Sequence, residues 1–415
     1  MNENWRYVPF CDAVEICDTL RKPINSKERA ARITGKTQEE LYPYYGATGQ
    51  VGYIDGYLTD GEYVLLGEDG APFLDMYAKK AYIISGKSWV NNHAHVLRSK
   101  SNNKFLCYYL NYFNYKGYVS GTTRLKLTQA QMKRIMVPVP SEDEQERVVA
   151  KIEELFSELD NGVETLKKTK QQLAVYRQAV LKEAFEGKFT AHIPCDLELS
   201  WASEEETKSL PAIPKEWQYI ALSNLGDLGR GKSKHRPRND PKLFDGGKYP
   251  FLQTGEVKAA KQYITEYSKM YGEFGLQQSK LWPKGTLCIT IAANIAETAF
   301  LGIDACFPDS VVGFTPYEHI IPEYIKYFIE SQKLRLWAFA PATAQKNINL
   351  DTLENLIVPY CSVEEQQLVI AEIEARMTIC DSIEQTVDTA LQQAEAMRQS
   401  ILKKAFEGNE FNDYI

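Results

Sequence analysis

The sequence predicts a mixed α/β (α+β) chain: two globular domains separated by two long antiparallel coiled-coil helices, related by a pseudo-twofold internal repeat. Three observations predict it. Shifted by 221 positions, Val137–Gly187 falls on Val358–Gly408 without a gap, with 21 identities in 51 positions. In both copies apolar side chains recur at alternating steps of four and three over about 45 residues. The regions before the copies carry β-branched and aromatic runs divided by Gly, Asn and Asp, the pattern of short strands in α/β domains.

In chain order, residues 1–140 form the first domain, with strand-like GEYVLLGED and KAYIISGK and a helix-like stretch near Lys104–Phe113. Residues 141–187 form the central helix. Ser141 with Glu144 gives it a capping box, and Gly187 falls where a left-handed residue ends a helix. Its seam is Ile152, Phe156, Leu159, Val163, Leu166, Leu173 and Val180, then Ala184, interrupted by Lys170 and Arg177. Residues 188–361 hold a Pro-containing, acidic linker or extended arm and the second domain, with KGTLCITIAA, VVGFTP and the helix-like Pro322–Phe339. Residues 362–415 repeat the helix and add a tail: Ser362 with Glu365 at the start, Gly408 at the end, and a seam of Ile373, Met377, Cys380, Val387, Leu391, Ala394, Ile401 and Ala405, interrupted by Glu384 and Arg398. Equal length, equal register and a narrow seam favour pairing of the helices with each other. As the second domain intervenes, antiparallel closure is simplest. At ~1.5 Å per residue each rod would span roughly 68 Å. The repeat is weaker outside the helices, where NWRYVPFCDAVEI echoes EWQYIALSNLGDL and LYPYYGATG faces KYPFLQTGE.

Composition narrows the function. With 415 residues, 44% hydrophobic and 25% charged, the chain can fill several cores. Its longest apolar region, Leu287–Phe307, is broken by Asn294, Glu297 and Asp304, so no membrane span is expected. The opening MNENWRY has no leader character, and the chain is expected in the cytoplasm. Eight cysteines without a Cys-x-x-Cys pair predict buried or half-buried thiols and no metal site. No catalytic residues are expected: no Gly-x-Ser-x-Gly elbow, dinucleotide fingerprint or Pro-Pro dipeptide of an amino-methyltransferase occurs, and His93 and His95 lack metalloprotease spacing.

Net charge is −7, yet LGRGKSKHRPRN concentrates Arg230, Lys232, Lys234, His235, Arg236 and Arg238 without an acid. This loop is a candidate for phosphate contacts, with Gly229 and Gly231 allowing close approach. SGTTRLK supplies Thr122, Thr123 and Arg124 in the first domain, and ATAQKN mirrors it with Gln345 and Lys346. Tyr44, Tyr45, Thr48 and Gln50, with Gln253 and Thr254, are stacking and hydrogen-bonding types suited to base edges. Gly226–Ser233 also matches the phosphate loop of nucleotide triphosphatases, but Pro237 and Pro241 fall inside the helix that loop requires. A nucleotide-hydrolysing enzyme and a protein-binding scaffold stand as alternatives.

The order of variable domain, capped helix, variable domain, capped helix resembles the specificity subunit of Type I restriction-modification enzymes. The likeness rests on YYGATGQVGYIDGYLTDGEYVLLGEDG, KSKHRPRNDPKLFDGGKYPFLQTGEVK, the Val-Pro step into Ser-x-x-Glu-Gln and the Ala-Phe-Glu-Gly endings. The resemblance implies two target recognition domains, each reading half of a bipartite site on double-stranded DNA, with the helices as spacer. It implies two modification subunits docking on the helices, with Gln145 and Gln366 as candidate contacts, and restriction subunits beyond them. S-adenosylmethionine and ATP would sit on those partners, with no cofactor in this chain. A roughly 68 Å rod caps the half-site separation at ~20 base pairs of roughly 3.4 Å, and one-face binding favours ~10 between centres.

Overall fold

The computed structural model describes residues 5–195, 197–339 and 347–407. Chain contacts divide it into two units, one of residues 1–169 and 386–415, the other of residues 170–385. Each long helix is therefore shared between units. Every unit owns one α/β domain and one stretch of both helices.

In the first unit the apolar runs form a four-stranded antiparallel sheet in the order Val14–Ile16, Ala94–Ser99, Tyr63–Gly67, Ala81–Ile84. Tyr63–Gly67 is buried along its whole length, as its unbroken apolar character dictates. Tyr42–Tyr45 pairs antiparallel with Gln50–Ile54 and parallel with Trp89–Val90 in a second sheet. The helix Asn103–Tyr112 starts on an Asn102 cap and buries Phe105, Leu106, Tyr109 and Leu110.

The second unit repeats this plan. Its main sheet runs Gly226–Arg230, Val311–Pro316, Leu287–Thr290, Thr298–Leu301, with Tyr263–Ile264 added at the edge. Its second sheet again joins a parallel pair, Tyr249–Phe251 with Ala305–Cys306, to an antiparallel neighbour, Lys269–Tyr271. Tyr42–Tyr45 and Tyr249–Phe251, aligned above by Tyr-Pro, hold equivalent places. Pro322–Phe339 divides into two helices, Pro322–Ser331 and Lys333–Phe339.

A two-stranded ribbon leads into each long helix: Tyr7–Pro9 against Met136–Pro138, and Gln218–Ala221 against Ile357–Tyr360. The helices run over Glu142–Phe185 and Val363–Glu407. Ser141 and Ser362 accept from the amides of Glu144 and Glu365, at 3.3 Å in both cases. The reciprocal half of the expected capping boxes is replaced. Glu144 accepts from the Trp5 indole at 2.7 Å, and buried Glu365 accepts from Thr190, His192 and the amide of Ile193. Gly187 ends the first helix at φ +72°, with Lys188 N donating to Glu183 O, while Gly408 lies outside the described residues.

All seam positions of both helices are buried or half-buried. In the first unit Ile152 shares a core with Leu402, Ala405 and Phe406, and farther along the Arg398 guanidinium lies over Phe156 and pairs with Asp160. In the second unit Leu181, Ala184 and Phe185 share a core with Val369, Ile370 and Ile373, and Arg177 pairs with Asp381 at 2.7 Å and Glu384 at 3.1 Å. Rising numbers on one helix meet falling numbers on the other, so the stretches are antiparallel in both units. The polar interruptions of the seam are thus matched charges, Lys170 also facing Glu384 at 3.5 Å. The repeat offset carries Arg177–Asp381 onto Arg398–Asp160, so the same ion pair is written twice.

The segment after Gly187 is no free arm. Phe189, Cys195, Leu199, Trp201 and Ile213 pack on the second unit's core. Among the cysteines Cys11 is exposed, against expectation. No described helix is long and apolar enough to cross a membrane, and no group of His, Cys, Asp or Glu among the described residues could hold a metal ion.

Candidate nucleic-acid interface

In the first unit, two loops that are distant in sequence meet. Thr48 from the turn after Tyr42–Tyr45 and Thr123 and Arg124 from the loop before Leu127 line one open hollow of about 720 Å³, with Asp69, Asn91 and His93. Arg124 Nε donates to Asp69 Oδ1 at 2.6 Å, and His93 Nδ1 lies 3.6 Å from Asp69 Oδ2 and 3.4 Å from Arg124 Nη2. Thr48, Gln50, Thr122, Thr123 and Arg124 are exposed, and Tyr45 is half-buried against Tyr82.

Beneath the hollow lies a polar network. His95 is fully buried, its Nδ1 2.8 Å from Asp18 and its Nε2 3.0 Å from the Leu127 carbonyl. Arg21 bridges Asp18 and Glu68, and Lys126 reaches Glu68 at 3.4 Å. Burial alone would raise both carboxyls. The bond from His95 holds Asp18 below its ordinary value, and the bond from Arg21 does the same for Glu68. The network ties Glu68, next to Asp69, to the loop that carries Arg124.

In the second unit the basic loop is divided by function. Arg230 donates twice to the Asp309 carbonyl, at 3.0 and 2.8 Å, and Arg238 Nη2 is shared between the two oxygens of the Asp309 carboxylate, at 2.8 and 3.1 Å. His235 bonds Asp240 at 2.8 Å and packs edge-on against Phe274. Arg236 folds back onto the Ser233 and His235 carbonyls. Lys232, Lys234 and Arg236 are exposed and have no carboxylate partner among the described residues. The loop backbone is moored to a neighbouring segment, with Lys234 N on Gln278 O and Ser279 Oγ on Lys232 O. That places Lys280, exposed and seated on Trp282 at 3.6 Å, beside the loop.

Several expectations are corrected. Tyr44 is 4% exposed and sits where Phe251, 6% exposed, sits in the other unit, so it is a core residue with Arg29 over its ring. Gly229 and Gly231 serve internal packing: a Cβ on them would meet Trp282 at 2.8 Å and the Phe307 and Pro308 carbonyls at 2.3 Å. Gln145 and Gln366 are 3% and 0% exposed and bond the Pro140 and Cys361 carbonyls, so they fasten the helix starts instead of facing a partner. Gln253 caps the helix Thr254–Ala259, and both Gln253 and Thr254 are half-buried. Gln345 and Lys346 lie outside the described residues, although Asn347 bridges Ala292 as Lys126 bridges Asp69. Gly226–Arg230 is a strand and no helix opens at Ser233, where the chain continues as turns, so the nucleotide-triphosphatase loop is not formed.

Sequence reasoning missed Asp69, Lys280 and Arg29. Arg29 sits beside Gly52, two residues from exposed Gln50, and has no carboxylate partner among the described residues. Lone side chains in ordinary contexts carry no local signal. The turn Glu-Asp-Gly after a fully apolar strand was the available hint for Asp69.

The family profile described as the Type I restriction modification DNA specificity domain matches residues 2–174 and 214–393. A putative type I restriction enzyme specificity subunit of Haemophilus influenzae is 26% identical, over 93% of this chain and 91% of its own. The EcoBI specificity subunit of Escherichia coli is 25% identical, over 91% and 79%. Among solved structures, a chain from work on complex assembly and conformational transition of the type I R-M system matches 99% of both chains with a TM-score of 0.69 at 17% identity. The HsdS subunit of Thermoanaerobacter tengcongensis matches 99% of this chain and 98% of its own with a TM-score of 0.52 at 18% identity. The chain belongs to the Type I restriction-modification DNA specificity family.

Proposed function

We propose that this specificity subunit reads DNA with two domains, one half-site each, and that its helices set the gap. The observation that carries the reading is the duplicated design: the same sheet order and the same helix ion pair occur twice, and each domain gathers exposed cations or hydrogen-bonding side chains at one loop cluster. In the first domain the readers are Thr48, Gln50, Thr122, Thr123 and Arg124. In the second, Lys232, Lys234 and Arg236, joined by Lys280, contact phosphates.

Catalysis is assigned to partners: modification subunits with S-adenosylmethionine, and restriction subunits with ATP. Exposed apolar residues on the long helices support docking of modification subunits there, notably Val175, Ile379, Ile383 and Met397, each at least 40% exposed. The chain would act in the cytoplasm. The scaffold alternative is separated by measuring DNA affinity against salt for the chain bound to its modification subunits. A steep linear fall of log affinity with log salt is expected; a flat response would favour a protein-binding scaffold.

A further inference from the structure

We propose that Asp69 is a specificity-setting residue of the first recognition domain: it pins Arg124 so that the guanidinium meets a guanine edge instead of a phosphate. The proposal rests on the reading of the hollow as a DNA-facing site.

An exposed arginine on a loop ordinarily adds affinity without sequence information, because its flexible stem lets it settle on the nearest phosphate. Arg124 is 59% exposed but is not loose. Its Nε is held by Asp69 Oδ1 at 2.6 Å, and its Nη2 lies 3.4 Å from His93 Nδ1. Gly70, at φ +79°, lets the guanidinium lie across the backbone, and a Cβ there would stand 3.2 Å from Nε. With the Nε edge occupied, the Nη1 and Nη2 ends remain as a fork, the geometry that matches guanine O6 and N7 in the major groove.

The holder is itself fixed. Asp69 bridges Lys126, Gly70 N donates to Leu125 O at 3.0 Å, and Leu127 N donates to Glu68 O at 2.7 Å. Glu68 is bound from beneath by Arg21 and Lys126. A residue so anchored transmits little slack to Arg124, which is what base reading demands.

Charge points the same way. The Arg124–Asp69 pair is neutral as a unit, so it displaces few counterions and repels a phosphate through the carboxylate. It can still donate two hydrogen bonds to a base. Removing the carboxylate charge should therefore have two opposite effects: sequence selectivity falls, while binding to unrelated DNA rises.

The test uses the chain assembled with its modification subunits and a pool of random duplexes, with bound sequences read out for the parent, Asp69→Asn and Arg124→Ala. The parent should select a guanine at one position of one half-site. Arg124→Ala should lose that preference. Asp69→Asn should weaken it about tenfold or more and leave the other half-site unchanged. Asp69→Asn should also steepen the salt dependence on non-specific DNA by roughly one in slope, as the freed guanidinium takes a phosphate. A merely structural role for Asp69 would lower binding to all sequences without steepening the slope, and would overturn the proposal. So would unchanged selection by Asp69→Asn when Arg124→Ala alters it. If Arg124→Ala also leaves the selected sequences unchanged, the hollow is no base-reading site and the underlying reading fails. Should Asp69→Asn not assemble, Asp69→Ser removes the same charge in less volume.

Discussion

The two units share a fold and differ in how they treat charge. In the first, Arg124 is tied to Asp69, and Arg21 and Lys126 to Glu68, with Arg29 the exception. In the second, Lys232, Lys234, Arg236 and Lys280 have no such partner among the described residues. The helix entrances differ in the same spirit. Trp5 donates to Glu144 at 2.7 Å, whereas its counterpart Trp217 is buried without a hydrogen-bond partner among the described residues, the segment after the first helix occupying Glu365. On the proposed reading, a duplicated framework thus holds one domain suited to selective contacts and one suited to general phosphate affinity.

The largest expected effect breaks the comparison at its electrostatic root. Replacing Lys232, Lys234 and Arg236 together by Ala should make the salt slope of DNA binding shallower by roughly 2.7, at ~0.9 per phosphate contact. Arg124→Ala should change that slope by less than about one. Equal changes from both would erase the distinction between the units.

The tryptophans come next. Trp5→Phe loses a hydrogen bond to a carboxylate and should cost about 1.5–3 kcal/mol in denaturant unfolding. Trp217→Phe loses none, so its cost should be smaller and confined to packing. Equal costs would mean that the Glu144 bond contributes nothing.

The polar network under the first unit's hollow gives a pH signature. Asp18 has its folded value depressed below the ordinary 3.8, mainly by the His95 bond acting against burial. Its contribution is therefore complete above the unfolded value and lost as pH falls through the folded one. Asp18→Asn should be less stable than the parent at pH 7, and the gap should close on acidification below about pH 4. A gap constant with pH would remove Asp18 from the charge network.

The smallest effect tests the repeat. Arg177→Ala and Arg398→Ala each break an inter-helix pair between a half-buried arginine and an exposed aspartate and should cost about 0.2–1 kcal/mol. The copied half of each pair is the aspartate: Asp381→Ala and Asp160→Ala should cost the same within a few tenths, because both leave the unshared contacts of the arginines, Glu384 for Arg177 and Phe156 for Arg398, in place.

Much of this was legible in the sequence. A seam repeated at fixed register over 44 and 45 residues leaves little freedom, and every seam position is indeed shielded. Tyr63–Gly67 and Leu287–Thr290 were legible because strands buried on both faces are apolar along most of their length. The site was legible only as loops. Tyr44 was misplaced because a tyrosine in a strand looks alike whether it faces base or core, and the parallel strand Trp89–Val90 that buries it comes from far along the chain. Glu144 and Glu365 followed the local capping rule in position, yet long-range donors captured them. Asp69 needed the fold to bring it to Arg124.

The central claim, that a shared antiparallel helix pair spaces two independent readers, is tested most directly by inserting one heptad into each helix. The insertion points are after Thr169 and after Gln385, where the chain passes between units. Seven residues lengthen each rod by about 10.5 Å, or roughly three base pairs, while keeping the seam in register. Sequencing of duplexes selected by the assembled complex should return the same two half-sites with the gap widened by about three base pairs. Unchanged spacing, or altered half-sites at the old spacing, would contradict the account.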